Sequence, residues 1–479
     1  MKSGLSICLF AVVLFAGCKK SALKAHIPPT TTIFVSAINL TGANRLSSTV
    51  QLAWQGYSQD GYIVGYQLSF DNVNWTYTKS TDSTFHFILT NEDSLNINFY
   101  VRAIDNYGLK DPHPAHIVIP VKSTPPVVSI TKNQFVKDTA FAVVTLPWTA
   151  TDVDGSQTID SVFIKINNGH WFSVKADTSL VTLVPVNPMA SGATTAKVYL
   201  GANAMLLGGN IDGLVLNGLN RIYMRGRNLA GAYGAQDSTI SFYWKNQTSN
   251  LLVIDGVQGF TAAGILLPAV LSTNGSYDYI NYNISKNKNA PYYWNPTFQL
   301  LISLYKEVFI YTDNEEINGS LILESAASAF QTYLNNNGKI LISTQLTSAL
   351  STTSPLFQYA PLDSILHPSG TPPPQARIAT DSAASPNDTN AAGYPTLVSN
   401  VYITGVEPFY PSFSAKIMYR GHLTKLLGWN GPNVVSAKLL NPNNKTNLVF
   451  WSVPLQDFDQ NPNSLTAYFN DIFKNEFNW

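Results

Sequence analysis

Apolar and polar residues alternate in short runs through the first half of the chain. Between residues 31 and 122 such runs include 50–54, 63–70 and 98–105, and turn residues such as Asp60-Gly61 separate them. A period of two turns one set of side chains toward a core and the other toward solvent. Because no helical stretch interrupts the runs, the pattern predicts an antiparallel β-sandwich.

The same pattern occurs again between residues 123 and 245. Trp54 and Trp148 each stand six residues before an Asp-Gly pair, and the two copies of this pattern are 94 residues apart. Both tryptophans are predicted to lie in sandwich cores. The Tyr-x-Arg sequences at 100–102 and 223–225 are shifted by 123 residues. An internal repeat constrains the fold, so we expect a second sandwich with an insertion near residues 188–217.

The periodicity changes at residue 250. Continuous apolar runs, typical of strands buried on both faces of a parallel sheet, now alternate with helical spacing. The predicted strands are 251–256, 277–282, 307–312, 339–343, 416–419, 434–439 and 447–454, and the predicted helices are 298–305, 320–334 and 464–477. Residues 355–396, which contain three consecutive prolines, are predicted to form loops. This pattern predicts an α/β domain over 250–479.

Two resemblances follow from these segments. The early Trp strand and the Tyr100-x-Arg102 strand resemble fibronectin type III modules, and the C-terminal part resembles class I glutamine-amidotransferase-like, flavodoxin-like domains. The predicted fold is therefore multidomain, with two all-β immunoglobulin-like sandwiches and an α/β flavodoxin-like domain with a mainly parallel sheet. The amidotransferase resemblance implies a cysteine nucleophile, which residues 250–479 lack, so it implies the scaffold without the activity.

The N-terminus is typical of an export signal. Lys2 precedes an apolar run over 5–15 that is too short to span a bilayer, and small residues precede Cys18. This resembles a bacterial lipoprotein processing site with Cys18 as the lipidated residue, and the alternative is an ordinary cleaved signal. Residues 1–18 are then the signal and 19–30 a linker. We expect a lipid-anchored cell-envelope protein, on the periplasmic face or the outer surface of the outer membrane.

Charge and cysteine content narrow the partners. Lys plus Arg equals Asp plus Glu at 29 each, and only 12% of residues are charged, which argues against a nucleic-acid partner. The only cysteines are Cys8 and Cys18, so the folded part has no disulfide and no thiolate metal site. No cofactor is predicted. The predicted partners are the membrane, through the lipid, and a polysaccharide or an envelope protein.

Candidate chemistry lies where the parallel strands end, because ligands of open parallel sheets bind there. These ends carry Asp255, Asp313, Ser343 with Thr344 and Gln345, and the segment 454–459. Ser343 is a candidate nucleophile, but it lacks the flanking glycines of a nucleophile elbow, and a hydroxyl at a strand end is more often a cap. The sequence therefore favours a non-catalytic module, with a hydrolase as the alternative.

Two further groups are binding candidates. Asp152, Asp154 and Asp160 suggest a calcium site, although Asp-Gly is first of all a turn former. Tyr292, Tyr293 and Trp294, between two prolines, suggest an exposed aromatic platform for a sugar or a protein, the alternative being packing within the protein. Other tryptophans near turns or domain edges are Trp75, Trp171, Trp244 and Trp429.

Seven Asp-Ser/Thr-apolar triplets resemble the O-glycosylation sites of Bacteroidota. The predicted acceptors are Ser83, Ser94, Thr139, Ser161, Ser238, Ser364 and Ser382. Each triplet alone is a turn leading into a strand. The sequence as a whole predicts a binding module for a glycan or a protein, carried on sandwich spacers, with a structural component of a surface assembly as a further alternative.

Overall fold

The protein was analysed as a computed structural model, which describes residues 25–34, 46–90, 92, 94–136, 138–259, 261–282, 291–314 and 322–478. The chain divides into two compact units. The first holds the described residues up to Pro125 together with Asp152–Thr158 and Asn228–Ala232. The second holds Pro126–Thr151, Ile159–Arg227 and the chain from Tyr233 onward.

The first unit contains an antiparallel sandwich. Its strands are β1 (Thr30–Phe34), β2 (Leu46–Ser47), β3 (Thr49–Tyr57), β4 (Ile63–Ser69), β5 (Thr76–Thr78), β6 (Asp82–His86), β7 (Ser94–Asp105) and β8 (Ala115–Lys122). They form one sheet in the order β1-β3-β6 and another in the order β2-β8-β7-β4-β5. Apart from the short parallel β2–β8 pair, neighbouring strands run antiparallel. The predicted immunoglobulin-like sandwich is confirmed.

The core of this sandwich is built from the inward residues of both sheets. Leu52, Phe99 and Val101 are fully buried, and Trp54 is 2% exposed with its indole N–H donating to the Ser80 carbonyl at 2.9 Å. This bond lets the largest side chain of the core be buried without leaving its donor unsatisfied. The predicted core position of Trp54 is confirmed.

The second unit begins with another set of strands. They are β9 (Val127–Ile130), β10 (Thr139–Phe141), β11 (Val144–Thr151), β12 (Ile159–Ile166), β13 (Phe172–Lys175), β14 (Leu180–Pro185), β15 (Gly192–Leu200), β16 (Met205–Leu216), β17 (Gly218–Asn220), β18 (Ile222–Asn228), β19 (Asp237–Ser238) and β20 (Phe242–Lys245). The sheets are β16-β15-β14-β11-β9, β13-β12-β18-β19 and β10-β20-β17. Residues 188–217, predicted as the insertion, contain the antiparallel pair β15 and β16.

Tryptophans also occupy the core of this second sandwich. Trp148 is 2% exposed, which confirms its predicted position, and Trp244 is fully buried. Trp244, one of the tryptophans near turns or domain edges, packs inside this sandwich, where its indole N–H donates to the Ala142 carbonyl at 3.2 Å. Trp429, in the last domain, is likewise buried, at 4% exposed.

The C-terminal domain is organised around a nine-stranded sheet. The strands of the domain are β21 (Leu251–Gly256), β22 (Asp278–Asn281), β23 (Glu307–Thr312), β24 (Lys339–Ser343), β25 (Leu362–Ile365), β26 (Gln375–Ile378), β27 (Ala383–Pro386), β28 (Leu397–Val398), β29 (Ile403–Val406), β30 (Phe409–Pro411), β31 (Lys416–Gly421), β32 (Thr424–Leu426), β33 (Val434–Leu440) and β34 (Thr446–Trp451). The sheet order is β22-β21-β23-β24-β34-β33-β31-β27-β28.

This sheet is mixed, which corrects the prediction of a mainly parallel one. The pairs from β22 to β34 are parallel, and the pairs from β34 to β28 are antiparallel. Strands β25, β26 and β27 lie inside residues 355–396, where loops were predicted. Their four-residue length, and the prolines around them, explain why no periodicity reveals them.

Helices cover both faces of the sheet. They are α1 (Thr261–Asn274), α2 (Gln299–Ile302), α3 (Ile322–Ser325), α4 (Ala327–Asn335) and α5 (Pro462–Asn470), with further helical turns at Trp294–Phe298, Pro355–Gln358, Leu455–Phe458 and Asp471–Glu476. Helix α1 was not predicted, because Gly264 and Pro268 interrupt its helical pattern. In the part of the chain described, no helix combines the length and the apolar character needed to cross a membrane.

The second sandwich and the C-terminal domain share one hydrophobic core. Val143 and Val184 belong to the same buried cluster as Leu252 and Ile310 of the sheet. Polar contacts accompany the packing: the Thr145 and Thr297 hydroxyls are 2.5 Å apart, and other bonds join Gln247 to the Leu304 carbonyl and Tyr293 to Gln134. These two parts of the second unit therefore meet through a packed, hydrogen-bonded junction.

Replacing Val184 by alanine should show how much this shared core stabilises the protein. Val184 is 4% exposed, and removing two buried methyl groups should lower the free energy of unfolding by about 2 kcal/mol. The matched control is Val186→Ala, because Val186 is 43% exposed and the same change there should cost less than about 0.5 kcal/mol. Urea unfolding measures both, and equal effects would contradict a buried junction.

Candidate functional site

The parallel strands end together at one edge of the sheet. Asp255 lies near the end of β21, Asp313 directly follows β23, and Thr344 and Gln345 follow β24. Asp457 lies in the helical turn after β34. Because these strands are neighbours and run parallel, their ends bring side chains that are distant in sequence to a single edge.

Asp255 is the buried member of this group. It is 1% exposed, and its carboxylate accepts hydrogen bonds from the Val257 amide at 2.9 Å and from the Tyr279 hydroxyl at 2.5 Å. Burial raises the pKa of Asp255, its hydrogen bonds lower it, and the charge of Asp313 raises it further. The net pKa is raised, so Asp255 is a weaker acid than an exposed aspartate.

Asp313 links Asp255 to Asp457. Its carboxylate accepts from the Gln258 amide at 2.7 Å, which fixes it beside the turn after β21. Burial, and then the charge of Asp313, raise the pKa of Asp457 to about 6. The sequence placed Asp457 only within a six-residue segment, and the structure identifies it as the residue of that segment that interacts with Asp313.

Residues 399–407 form a segment that contacts this edge of the sheet. The Asp457 carbonyl accepts from the Asn400 amide at 3.0 Å and from the Ser399 hydroxyl at 3.0 Å. Farther along, the Gln345 side-chain amide donates to the Thr404 carbonyl at 2.6 Å and to the Gly405 carbonyl at 3.2 Å. The segment is thus tied to the ends of both β34 and β24.

The same segment supplies two side chains that the sequence did not indicate. Tyr402 is 47% exposed, two residues after Asn400. Glu407 is 7% exposed, burial raises its pKa to about 7, and its Oε2 atom has no hydrogen-bond partner among the described residues. Both belong to a region of short strands without clear periodicity, so no sequence signal singled them out.

Ser343 does not face this group as a free hydroxyl. It is fully buried, and its Oγ accepts from the Leu455 amide at 2.9 Å and lies 3.5 Å from the Val453 carbonyl. The histidines of the domain are engaged elsewhere: His367 contacts the Ser348 carbonyl and His422 contacts the Ser385 hydroxyl. Ser343 thus joins the end of β24 to the segment after β34.

The aromatic candidates lie apart from the carboxylates. Tyr292 is 52% exposed, but the Tyr293 hydroxyl donates to Gln134 at 2.6 Å, on the second sandwich. Trp294 packs edge-on against Phe298 and Tyr282, with ring centroids 5.1 and 6.3 Å away. Tyr293 and Trp294 therefore contribute to the junction with the sandwich, and their role in ligand binding stays a prediction.

The acidic residues proposed for calcium are each engaged by protein groups. Asp152 accepts from the Asp154 amide and Asp154 from the Thr124 amide, at 2.9 and 2.7 Å, while Asp160 forms an ion pair with Arg227. Among the described residues, no group of three His, Cys, Asp or Glu is arranged to hold a metal ion. The calcium site stays a prediction without a matching cluster.

The predicted glycosylation acceptors differ in accessibility. Ser161 is 6% exposed and bonded to Asp160, whereas the six others are partly exposed. Those six are Ser83, Ser94, Thr139, Ser238, Ser364 and Ser382. Cys18, the predicted lipidation site, lies outside the described residues. These modifications stay predictions.

Comparison with known proteins adds little to this geometry. No protein-family model matches the chain, and no curated protein matches it. The solved structures that it is similar to include the fibronectin(III)-like modules of CbhA from Clostridium thermocellum (11% identity, 45% of this chain and 94% of that one, TM-score 0.18). Others are the chicken interferon gamma receptor alpha chain (10%, 46% and 100%, TM-score 0.22) and the FN1-FN3 domains of chicken CNTN1 (12%, 46% and 99%, TM-score 0.16). At these TM-scores the likeness carries no argument, so the sandwich assignment depends on the chain's own sheet topology.

Glu407 should make the stability of the protein depend on pH. Burial raises the pKa of Glu407, so ionising this carboxyl costs free energy in the folded protein. The free energy of unfolding therefore falls as the pH rises from about 4.5 through about 7. Glu407→Gln should therefore stabilise the protein at pH 8 by up to about 3 kcal/mol, at about 1.4 kcal/mol per pKa unit, and should have little effect at pH 4. Denaturant unfolding at both pH values measures this difference. The control is Glu92→Gln at an exposed position, and a pH-independent effect of Glu407→Gln would contradict the assignment.

Proposed function

We propose that this chain is a lipid-anchored cell-envelope protein that binds a glycan at the carboxyl edge of its C-terminal sheet. The observation that carries the proposal is that Asp255, Asp313 and Asp457 lie at or after the carboxyl ends of three parallel strands, which meet at that edge. In this proposal the site is non-catalytic, and the sandwiches are spacers between the membrane and the binding domain.

The chemistry of the edge suits a neutral sugar. A carboxylate accepts hydrogen bonds from two neighbouring sugar hydroxyls, and partial burial strengthens each bond because less water competes. Asp313 and Asp457 are partly exposed and within reach of a ligand, whereas Asp255 is buried. The exposed ring of Tyr402 offers a face on which a sugar ring stacks.

The domain assignment and location belong to the same proposal. The strands β22-β21-β23-β24-β34 follow the order 2-1-3-4-5 within the domain, which supports a relation to flavodoxin-like and amidotransferase-like domains for the parallel half of the sheet. The sequence around Cys18 supports a lipid anchor and an outer-membrane location, and the seven Asp-Ser/Thr-apolar triplets support a Bacteroidota-like source. If no glycan binds, two alternatives are favoured: the ligand is an envelope protein, or the protein has a structural role in a surface assembly.

Hydrolysis is the second candidate function. Burial and the charge of Asp313 raise the pKa of Asp457 to about 6, and a general acid in glycoside hydrolysis needs such a raised pKa. Ser343 takes no part in this candidate function, because its hydroxyl is bonded to the backbone.

The proposal is tested by measuring the binding of neutral oligosaccharides to the full chain in detergent, by thermal shift and by calorimetry. Asp313→Asn combined with Asp457→Asn should weaken binding about tenfold or more, since charge-assisted bonds are replaced by neutral ones. The control pair Asp177→Asn and Asp388→Asn removes the same charge at exposed positions and should leave affinity unchanged. Equal affinities for both pairs would contradict a site at this edge.

Turnover separates the two functions in the same experiment. The binding module predicts that bound oligosaccharide is recovered intact. Release of reducing ends that disappears with Asp457→Asn alone, while the sugar still binds, would instead establish the hydrolase. Ser343→Ala is expected to leave turnover and binding unaltered, because that hydroxyl holds backbone rather than ligand.

A further inference from the structure

One outward face of the second sandwich has a distinctive composition. In the sheet β13-β12-β18-β19, strand β12 turns Val162, Ile164 and Ile166 into the core and leaves Phe163 and Lys165 outside. Strand β18 buries Ile222 and Met224 and leaves Tyr223, Arg225 and Arg227 outside. We call these outward residues, with Trp171, Lys175, Arg221 and Tyr233, the ladder face.

Cations and aromatic rings alternate across the ladder face. The Arg225 guanidinium lies 4.3 Å from the centroid of Trp171 and 4.1 Å from that of Tyr233. The Lys165 ammonium lies 4.9 Å from Trp171 and 5.1 Å from Tyr223. These distances are within the range of cation–π attraction, so the rings hold the two cations in place.

Three more cations extend this arrangement. Arg227 lies 5.5 Å from the ring of Phe163, and Arg221 lies 5.7 Å from that of Tyr223. Lys175 is exposed and pairs across the strands with Ser161, on the same face. Arg221, Arg225 and Arg227 lie on the same face because their positions in and just before β18 differ by even numbers. Their charges therefore form a line, at intervals of about 7 Å or a multiple of it.

Most of these charges are not neutralised within the described part of the protein. There, Arg227 pairs with the Asp160 carboxylate, while Lys165, Lys175, Arg221 and Arg225 form no ion pair. The chain as a whole has a net charge of zero, so four unpaired cations on one sheet face are a local excess. Such an excess attracts a partner of opposite charge.

We propose that the ladder face binds an acidic polysaccharide. The guanidinium and ammonium groups would pair with its carboxylate or sulfate groups, and the partly exposed rings would contact its sugar rings. Because the rings already hold Arg225 and Lys165, little side-chain entropy is lost on binding. A line of cations on a sheet fits a linear polymer whose charge repeats at each unit. This goes beyond the proposed function, since the carboxylates at the edge of the C-terminal sheet repel an acidic polymer.

The probe for this site is polygalacturonate, with neutral dextran as the reference polymer, on the full chain in detergent. The wild-type protein should bind polygalacturonate with an affinity that falls as sodium chloride rises, whereas any dextran bound at the neutral-glycan site should show no such salt dependence. Lys165→Gln combined with Arg225→Gln should weaken binding about tenfold or more. The control pair Arg420→Gln and Lys425→Gln removes the same charge from exposed positions of the C-terminal domain and should change affinity less than about twofold.

A second variant does not disturb the stacked rings. Lys175→Glu reverses an exposed charge on the ladder face and should weaken polygalacturonate binding several-fold, with an unchanged circular dichroism spectrum. Binding of polygalacturonate that does not weaken with salt, or unchanged affinity in both ladder-face variants, would overturn the proposal. Either result leaves the neutral-glycan site intact, because that site is tested with other probes and other residues.

Discussion

Burial of the central strands on both faces is the constraint on which the second unit depends. In β21, Leu252 and Ile254 face one hydrophobic cluster, while Leu251 and Val253 face the other. Each face must then be covered by other apolar groups, because the apolar side chains of the strands stabilise the fold only when they are removed from water. Helices α1 and α5 pack on the second face, and the first is covered by α2, α4 and the edge of the second sandwich.

A sheet covered on both faces leaves polar chemistry only at its edges. Asp255, Asp313 and Asp457 are therefore found where strands end, and burial beside the apolar layers raises the pKa values of Asp255 and Asp457. The opposite edge obeys the same rule: Glu307 and Lys339 begin β23 and β24, and burial raises the pKa of one and lowers that of the other. The carboxyl edge differs in gathering charges of one sign.

The two proposed binding surfaces use opposite electrostatics for related ligands. At the sheet edge, carboxylates such as Asp313 accept from hydroxyl groups, so a neutral sugar is preferred over an acidic one. On the ladder face, Lys165 and Arg225 attract carboxylate or sulfate groups, and the aromatic rings between them keep like charges apart and ordered. An envelope protein with both surfaces would contact two chemically distinct polymers.

Much of the architecture could be predicted from the sequence. The repeat that relates Trp54 to Trp148 identified two sandwiches and their buried tryptophans, and apolar runs such as 251–256 and 339–343 identified the parallel strands. Asp255 and Asp313 could also be placed at strand ends. These features are local, because strand period and strand boundaries depend on residues that are adjacent in the chain.

The composition of the candidate site could not be predicted in the same way. Tyr402 and Glu407 belong to a segment without periodicity, and only the packing shows that Trp244 is buried and that Trp294 lies against Tyr282 and Phe298. Strands at 416–419 and 434–439 could be predicted, but their antiparallel direction and the short strands β27 and β28 could not. By itself the sequence determined the longer strands and their apolar core positions, since that information is local. Only the tertiary structure decided which charges lie together and which rings stay exposed, because both depend on contacts between residues far apart in the chain.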